Sequence, residues 1–349
     1  MSPPPTACPL PTGARGDVVI VKPSSLGDIV HTLPAVAWLH QAWPGLRLHW
    51  VVNSEWRPLL DGSPLLESVI EFPRSRFRGL GGLLRARRWI RGYEAGLSSR
   101  EVVLALDFQG LLRSAWLARK STAPLVIGLD DAREGARWFY GARVPARRPD
   151  GGVLHSVDRY LGLVRALQPG VDESDALRGD WLPVGDGVEG LPESWFIVLH
   201  PFARGEGKSL GWPSVAALGR LWSGWPVVVV GRSEAPPPPG LPANVVNLVG
   251  RTTLRQLIGV LRRAAFVVSV DSGPMHLASA LHRPLVGIHT WSDPRSVGPY
   301  DPSAWIWKAG ELCRRDRIDD RLAAASVPPD DAALQLIAAH VIATLQGGA

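Results

Sequence analysis

The sequence has little of several residue types, and each shortage excludes a class of protein. Cysteine occurs only twice in 349 residues, at Cys8 and Cys313, which excludes a disulfide framework or a cysteine-rich zinc site. No apolar run approaches the roughly 18 residues of a membrane-spanning helix, so we expect no transmembrane segment. The first sixteen residues lack the basic start and apolar core of a signal peptide. These features predict a cytosolic protein whose residues 1–16 form a disordered, proline-rich tail.

Lysine is also scarce, although the chain is basic overall. Only four of the 38 Lys and Arg residues are lysines, and the net charge is +6. A basic balance favours anionic partners such as phosphate, nucleic acid or a membrane surface. Hydrophobic residues make up 46% of the chain, which excludes wholesale disorder and is enough for two domain cores.

Short apolar runs alternate with helical patterns along most of the chain. The predicted strands cover residues 18–21, 48–52, 69–72, 102–106, 125–128, 196–200, 227–230, 266–270 and 285–288. The predicted helices include 79–94, 111–119, 215–222, 254–263, 275–281 and a C-terminal helix over 331–345. Residues 171–194, rich in Pro, Gly, Asp and Glu, interrupt the alternation. The pattern predicts an α/β protein with two doubly wound, Rossmann-like domains, 17–170 and 195–349, joined by a linker and facing a ligand cleft.

The first motif, VKPSSLGDIVHTLP, covers residues 21–34 and begins at the end of the first predicted strand. Ser25 and Gly27 belong to a turn of small residues, whose backbone N–H groups can approach a ligand closely. Asp28 then lies at the carboxyl edge of the sheet, where open α/β folds bind ligands, and can accept a proton from a substrate hydroxyl. A helix cap explains Asp28 equally well. His31, on the same helical face, is more often a packed histidine than a catalytic one.

A second polar turn, LDFQGLLRS, follows another predicted strand at residues 106–114. Asp107, Gln109 and Arg113 supply the polar groups that a hydroxyl-rich or anionic ligand needs. They face the same side as Asp28 if the two strands run parallel. Asp107 is also compatible with a helix cap.

The third motif, SVDSGPMHLASALHRP, covers residues 269–284. A buried strand ends at Asp271, and Ser272 and Gly273 open a helix with a proline in its first turn. The unpaired N–H groups and the positive dipole end of such a helix make a phosphate site, to which His276 adds a donor. The alternative is an ordinary strand-to-helix turn.

A glycine-bearing loop, HPFARGEGK, follows a strand of the second half and ends at Lys208. A lysine after such a loop suits a diphosphate. The loop is not a P-loop, because Phe202 stands where GxxxxGK[ST] requires glycine. No GxGxxG follows the first strand, which argues against a dinucleotide-dependent dehydrogenase.

A cluster of arginines distinguishes the first half of the chain. Its members are Arg74, Arg76, Arg78, Arg85, Arg87, Arg88 and Arg91, interleaved with Phe77, Leu80, Leu83, Leu84, Trp89 and Ile90. A basic amphipathic stretch of this kind fits a membrane surface or a phosphorylated lipid, with residues such as Phe77, Leu84 and Trp89 entering the interface. A solvated helix face is the alternative. Nucleic acid is less favoured, because no recognised binding motif accompanies the charge.

In this order and spacing, the motifs VKPSSLGDIVHTLP, DFQGLLRSA and VDSGPMHLASALHRP resemble those of the lipopolysaccharide heptosyltransferases of glycosyltransferase family 9. The resemblance implies a GT-B fold whose first domain binds the acceptor and whose second binds ADP-heptose. It implies an inverting enzyme that needs no metal or other cofactor, and the sequence has no Asp-x-Asp motif. The implied partners are ADP-heptose, Kdo-lipid A and the cytoplasmic leaflet of the inner membrane, contacted peripherally by a monomer, with no nucleic acid.

The resemblance also assigns roles to residues of this sequence. Asp28 is implied as the general base that deprotonates an acceptor hydroxyl, and Lys208 as the group that stabilises the departing diphosphate. Donor contacts are implied at Ser25, Gly27, Lys208, Glu234, Asp271, Ser272, Gly273, Met275 and His276. Acceptor contacts are implied at His31, Asp107, Gln109 and Arg113.

Three positions depart from the pattern of the family. Residues 209–211 intervene between Lys208 and the following Trp-Pro pair, Glu234 stands one residue short of the place expected for the ribose contact, and Arg113 replaces a lysine. These departures concern donor identity more than reaction type. The alternatives are another nucleotide-sugar glycosyltransferase or epimerase of GT-B fold, and a non-catalytic protein that binds anionic lipid on this scaffold.

Overall fold

The computed structural model describes residues 8–79, 81–205 and 207–347. The chain divides into two compact units, Met1–Trp181 and Leu182–Ala349, here called the first and second domains. The division falls inside the predicted linker, residues 171–194. Both halves of that segment are packed: the indole of Trp38 donates to the carbonyl of Val171 at 2.9 Å, and Arg262 donates to the carbonyl of Leu182 at 3.0 Å.

The first domain is a parallel sheet flanked by helices. Its strands are β1 (Gly16–Val21), β2 (Leu46–Asn53), β3 (Ser68–Phe72), β4 (Val102–Asp107), β5 (Val126–Leu129) and β6 (Ala142–Val144). Its α-helices are α1 (Leu26–Ala42), α2 (Gly82–Ser98), α3 (Leu112–Arg119), α4 (Ser156–Arg165) and α5 (Ser174–Arg178), and short 3-10 helices cover Ser54–Leu59, Arg74–Phe77 and Ala136–Phe139. The strand order is β3-β2-β1-β4-β5-β6, and neighbouring strands pair parallel.

The second domain repeats this arrangement. Its strands are β7 (Ile197–His200), β8 (Val227–Val229), β9 (Val245–Asn247), β10 (Phe266–Val270), β11 (Leu285–His289), β12 (Trp305–Lys308) and β13 (Glu311–Cys313). Its helices are α6 (Gly211–Leu221), α7 (Leu254–Arg263), α8 (Gly273–Ala280), α9 (Pro294–Val297), α10 (Asp320–Ala324), α11 (Asp331–Gly347) and a 3-10 turn at Arg315–Arg317. The order is β13-β12-β11-β10-β7-β8-β9, in which β13 pairs antiparallel with β12 and the other neighbours pair parallel.

The two strand orders explain where ligands can bind. In each sheet the order reverses beside the first strand of the domain, between β1 and β4 and between β7 and β10. Connections on either side of such a reversal leave the sheet on opposite faces, and a crevice opens at the carboxyl ends of the strands. The turns after β1 and β4, and after β7 and β10, carry the four polar motifs of the sequence. The predicted doubly wound, Rossmann-like domains are therefore confirmed.

Central strands are buried on both faces, as wholly apolar runs require. β1 is buried throughout, and Val19 and Val21 pack in one cluster with Val51 and Ala105. In the second domain Trp222 and Trp307 are fully buried among residues of β7, β8 and β10. Among the described residues, no helix is long and apolar enough to span a bilayer.

The N-terminal segment differs from its prediction as a disordered tail over 1–16. Residues 1–7 lie outside the described part of the chain, and the strand β1 already begins at Gly16. The backbone N–H groups of Cys8 and Leu10 donate to the carbonyls of Ala166 and Leu167 at 2.8 and 3.0 Å. Residues from Cys8 onward are therefore bonded to the end of α4, and the prediction is wrong for them.

Candidate active site

The first polar cluster lies where β1 ends and α1 begins. Ser25 caps α1, and Asp28 is the third residue of the helix, with Gly27 buried beside it. Asp28 Oδ2 accepts hydrogen bonds from the Ser25 N–H at 3.0 Å and from Ser25 Oγ at 2.9 Å. Its side chain is 36% exposed at the carboxyl edge of the sheet. Asp28 is thus a helix cap and a solvent-accessible carboxylate at once, so the two interpretations do not exclude each other.

Two buried side chains that the sequence analysis did not select lie behind Asp28. Lys22 Nζ is 3.9 Å from Asp28 Oδ1, and Tyr160 Oη is 3.4 Å from the same oxygen. Burial lowers the pKa of Lys22, while the carboxylates of Asp28 and Asp107 oppose that effect. The scarcity of lysine was the one signal in the sequence that pointed to Lys22.

The turn after β4 is organised by Asp107, which is fully buried. Its carboxylate accepts hydrogen bonds from Ser114 Oγ at 2.9 Å, from Tyr140 Oη at 2.7 Å and from two backbone N–H groups of its own turn. Burial raises the pKa of Asp107, although these bonds favour its anion. The expectation that Asp107 contacts the acceptor is wrong for a direct contact, because the carboxylate is enclosed by protein.

Other residues of the predicted acceptor side are placed differently. Gln109 Oε1 accepts from the backbone N–H of Ser24 at 3.2 Å, which joins the turns after β1 and β4. Arg113 is exposed in the first turn of α3. His31 is buried, and its ring packs edge-on against His155 with 5.1 Å between centroids. The structure therefore brings Gln109 to the Asp28 turn and makes His31 a packed histidine.

The second domain presents the start of α8 at its own strand-order reversal. Ser272 is the N-cap of α8, and Gly273 begins the helix ahead of a proline. Ser272 Oγ lies 3.1 Å from Nδ1 of His200, the last residue of β7, whose pKa burial lowers to about 4. A neutral imidazole thus fixes the cap of an eight-residue helix, and the N-terminus of such a helix favours phosphate.

Asp271 precedes this cap and lies near two histidines and Lys208. Burial alone raises the pKa of Asp271, but His289, His276, the Ser292 hydroxyl and Lys208 together bring it below its usual range. The carboxylate is therefore ionised at neutral pH. His276 is buried in the first turn of α8.

Lys208 reaches this cluster from the loop after β7. Its ammonium lies 4.2 Å from the ring centroid of Trp291, a cation–π contact. Trp291 is 53% exposed and was not selected from the sequence. Gly205 and Gly207 flank a residue outside the described part of the chain. Their φ angles are +103° and +71°, which residues other than glycine rarely adopt.

A buried lysine supports the loop that carries Trp291. Lys308, in β12, is fully buried, and its ammonium donates to the carbonyls of Thr290 and Ser292 at 3.1 and 3.0 Å. His289 Nδ1 lies 2.9 Å from Ser292 Oγ. The sequence analysis missed Lys308 and His289, because a contact between β12 and the loop after β11 leaves no local pattern.

Comparison with known proteins identifies the family. Residues 195–321 match the profile of glycosyltransferase family 9 (heptosyltransferase). Over 294 residues the chain is 32% identical to lipopolysaccharide heptosyltransferase 1 of Pseudomonas aeruginosa, and the match covers 82% of each chain. The chain belongs to glycosyltransferase family 9. This glycosyltransferase is also 28% identical over 310 residues to lipopolysaccharide heptosyltransferase 1 of Escherichia coli K12, covering 84% of its own chain and 93% of the relative.

A solved structure gives the same fold. The glycosyltransferase matches E. coli heptosyltransferase WaaC with ADP-2-deoxy-2-fluoro heptose at a TM-score of 0.67 and 24% identity. The match covers 95% of this chain and 100% of the other. Together with the two parallel sheets, this likeness confirms the predicted GT-B fold.

Of the residues predicted to contact the donor, one is buried and another is exposed. Met275 is fully buried, and a Cβ placed at Gly287 would lie 2.8 Å from its sulfur. The side chain of Met275 therefore packs α8 onto β11 and is not exposed for a direct contact with the donor. Glu234 is exposed in the loop after β8.

The arginine cluster of the glycosyltransferase forms an exposed basic surface. All seven arginines between Arg74 and Arg91 are exposed, as are Leu83 and Leu84, at 65% and 68%. Leu80 lies outside the described residues. Arg85 differs from the others because its guanidinium donates to the carbonyls of Arg76 and Arg78 at 2.6 and 3.0 Å.

The aromatic residues of this segment do not belong to that surface. Trp89 stacks on Tyr93 at 5.2 Å between ring centroids and donates to the carbonyl of Glu71 at 3.0 Å. Phe77 packs edge-on against Phe72 at 5.4 Å. Phe77 and Trp89 are therefore half-buried by contacts within the domain, and among the described residues of this segment the exposed large apolar side chains are Leu83 and Leu84.

Within residues 8–79, 81–205 and 207–347, the glycosyltransferase has no group of three or more His, Cys, Asp or Glu side chains arranged to hold a metal ion.

Proposed function

We propose that this glycosyltransferase transfers heptose from ADP-heptose to a sugar hydroxyl of the Kdo-lipid A inner core of lipopolysaccharide, inverting the anomeric centre and using no metal. The observation that carries the proposal is the pair of strand-order reversals. One presents an accessible carboxylate, Asp28, and the other presents the start of α8 beside Lys208. Two relatives named lipopolysaccharide heptosyltransferase 1, and a solved relative that holds an ADP-heptose analogue, support the choice of substrates.

Asp28 is the general base of the proposed reaction. Its carboxylate removes the proton of the acceptor hydroxyl while that oxygen attacks the anomeric carbon on the face opposite the diphosphate. The new glycosidic C–O bond forms as the bond between the anomeric carbon and the diphosphate oxygen breaks. The proton ends on Asp28, and the bonding electrons leave with ADP.

The second domain stabilises the negative charge that develops on the leaving group. The N–H groups at the start of α8, next to Ser272 and Gly273, and the ammonium of Lys208 are donors held in place before the reaction. Ionised Asp271 orients these groups and His276 around the donor. Glu234, exposed after β8, is the candidate partner of the ribose hydroxyls. Gln109 and Arg113 take the acceptor side.

Product formation tests this assignment. Incubation with ADP-heptose and a Kdo-lipid acceptor is expected to release ADP and to add one heptose mass to the acceptor. UDP- and GDP-linked sugars, supplied in place of ADP-heptose, serve as controls for another nucleotide-sugar transferase. Activity with one of those donors instead, or epimerised donor without transfer, would assign the enzyme to one of the alternative reactions.

Metal independence is a separate part of the proposal. We expect turnover in the presence of excess EDTA to equal turnover in untreated buffer, because Lys208 and the helix N–H groups stabilise the charge on the diphosphate. The measurement is ADP release before and after chelation, with added Mg²⁺ as a control. Loss on chelation that Mg²⁺ restores would contradict it.

We propose further that the first domain contacts the cytoplasmic leaflet of the inner membrane peripherally, as a monomer, through Leu83, Leu84 and the arginines of α2. In α2 the leucines lie one turn before Arg87 and Arg88, so apolar and basic side chains are adjacent on the exposed side. Apolar side chains beside arginines suit an anionic bilayer surface, which attracts such charges. The lipid acceptor lies in such a surface.

Replacing Arg87, Arg88 and Arg91 together with Ser is expected to weaken binding to anionic vesicles by roughly 100-fold, at about 1 kcal/mol per charge. Arg85 is left in place because it holds backbone carbonyls. Co-sedimentation with phosphatidylglycerol-containing vesicles at two salt concentrations measures the effect, and calorimetry should find ADP affinity unchanged.

Three exposed arginines of the second domain, Arg220, Arg251 and Arg317, provide the matched control. Their replacement removes the same charge and should leave most of the vesicle binding intact. If the wild type and both triple variants bind the vesicles equally well, and salt does not change that binding, the α2 surface is excluded as the membrane contact.

A further inference from the structure

A buried lysine and a buried tyrosine stand directly behind the Asp28 carboxylate. Lys22, the residue directly after β1, is 2% exposed, and Tyr160, on α4, is 6% exposed. The Lys22 ammonium donates to the carbonyl of Phe108 at 3.0 Å and to Tyr160 Oη at 2.8 Å. The ammonium also lies 4.8 Å from the centroid of the tyrosine ring. Lys22 therefore fixes the position of the phenol.

The hydroxyl of Tyr160 both accepts and donates a hydrogen bond. Tyr160 Oη accepts one hydrogen bond from Lys22, and its own hydrogen is directed to Asp28 Oδ1 at 3.4 Å. The other carboxylate oxygen, Oδ2, is bonded to the N–H and hydroxyl of Ser25. The carboxylate is thus held from two sides, by the cap of its own helix and by a helix 132 residues along the chain.

The tyrosine stays protonated in this position. Burial raises the pKa of Tyr160 well above its ordinary value, and the nearby charge of Asp28 raises it further. Tyr160 therefore donates to the carboxylate throughout the pH range of the reaction and does not compete with it as a base. Burial of Lys22 is costly unless its charge is compensated, and Asp28 is the carboxylate that the lysine reaches at 3.9 Å.

We propose that Tyr160, held by Lys22, is a positioning residue for Asp28, fixing the orientation of the carboxylate that accepts the proton of the acceptor hydroxyl. The inference rests on the proposed role of Asp28 as general base. In this arrangement Tyr160 touches neither substrate, and its hydroxyl acts only through Oδ1 of Asp28. The effect belongs to the chemical step, because proton transfer depends on the alignment of base and hydroxyl.

Tyr160→Phe tests the proposal with little change in packing. The phenylalanine ring keeps the edge-on contact with Phe108, at 5.7 Å between centroids, and loses only the hydroxyl. We expect kcat to fall by about 3- to 10-fold, the size associated with one hydrogen bond, while the KM for ADP-heptose and the affinity for ADP stay unchanged. If Tyr160 had a structural role alone, the variant would have a lower melting temperature but would not show a lower kcat at an unchanged KM.

Tyr93→Phe is the matched control. Tyr93 is also 6% exposed in the first domain, and its hydroxyl donates to a carbonyl, that of Leu117, at 3.0 Å. Removing this hydroxyl should leave kcat at the wild-type value. An equal loss of kcat in both variants, or an unchanged kcat in Tyr160→Phe, would overturn the proposal.

A double variant separates this inference from the proposed function. Where Asp28 is already Asn, Tyr160→Phe should cause no further loss of kcat, since the two changes act on one step. The same fold-loss in both backgrounds would show that Tyr160 acts elsewhere. Wild-type turnover by the single Asp28→Asn variant would instead show that Asp28 is not the base. That result would contradict the proposed function, and it is detected without any tyrosine variant.

Discussion

Asp28→Asn is expected to lower kcat by about 100-fold or more, the scale of general acid–base catalysis. The asparagine carbonyl can still accept from the N–H of Ser25, which Asp28 Oδ2 does now at 3.0 Å, so α1 keeps its cap. The variant loses the negatively charged carboxylate that accepts the proton. Steady-state ADP release with saturating acceptor measures the loss, and ADP binding should persist because α8 and Lys208 are unchanged.

Asp61→Asn is the control for removing a carboxylate from the same domain. Asp61 pairs with Arg57 one turn away at the surface, 3.0 Å apart, and an exposed pair of this kind contributes little. Its turnover should match the wild type. Near-normal turnover in Asp28→Asn as well would leave Asp28 with its capping role only.

Lys208→Ala is expected to weaken ADP binding by roughly 10- to 100-fold, because a hydrogen bond to a charged group contributes about 1.5–3 kcal/mol. Turnover should fall too, since the same ammonium meets the charge of the leaving diphosphate. Isothermal calorimetry with ADP gives the binding term, and ADP release gives the rate.

Lys120→Ala provides a closely matched comparison. Lys120 is another lysine near a tryptophan, 5.9 Å from the ring centroid of Trp116, and it pairs with Glu94 at 2.7 Å in the first domain. Its loss should change neither ADP affinity nor rate. Should Lys208→Ala behave in the same way, Lys208 would be a lysine that packs on Trp291 without contacting the nucleotide.

The parts of the fold that could be read from the sequence are those with a local signature. A wholly apolar run such as residues 18–21 predicts a strand buried on both faces, and a polar turn directly after it must lie at the carboxyl edge of the sheet. That reasoning placed Asp28, Lys208 and the start of α8 correctly along the chain. Strand order, which makes these edges crevices, follows from pairing between distant segments.

Side-chain direction was the part that sequence spacing could not supply. Asp107 and Met275 lie at strand-to-helix turns, as predicted, yet both side chains point inward. For Met275 the reason is Gly287, whose lack of a Cβ leaves room for the sulfur. Position along a turn is local information, whereas the direction of burial depends on a residue in the next strand.

Helix α4 shows the same limit for a whole element. Four buried residues of this helix follow helical spacing: Val157, Tyr160, Leu161 and Val164. The sequence therefore contained the pattern of a helix here, although the predicted helices did not include it. What the spacing cannot contain is the neighbour of Tyr160, because Lys22 lies 138 residues earlier. The tyrosine therefore became recognisable only when the two elements were seen together.

The dependence of Asp28 on α4 has a consequence for synthesis of the chain. The N-terminal segment is bonded to the same helix, since Cys8 donates to Ala166, so the first and last parts of the domain meet there. At about 5–20 residues per second, Tyr160 leaves the ribosome on the order of ten seconds after Asp28. During that interval α1 can form, but neither the carboxylate nor the segment before β1 has its later partner. The base is among the first parts of the site to be made, but its position is fixed only once α4 has been made.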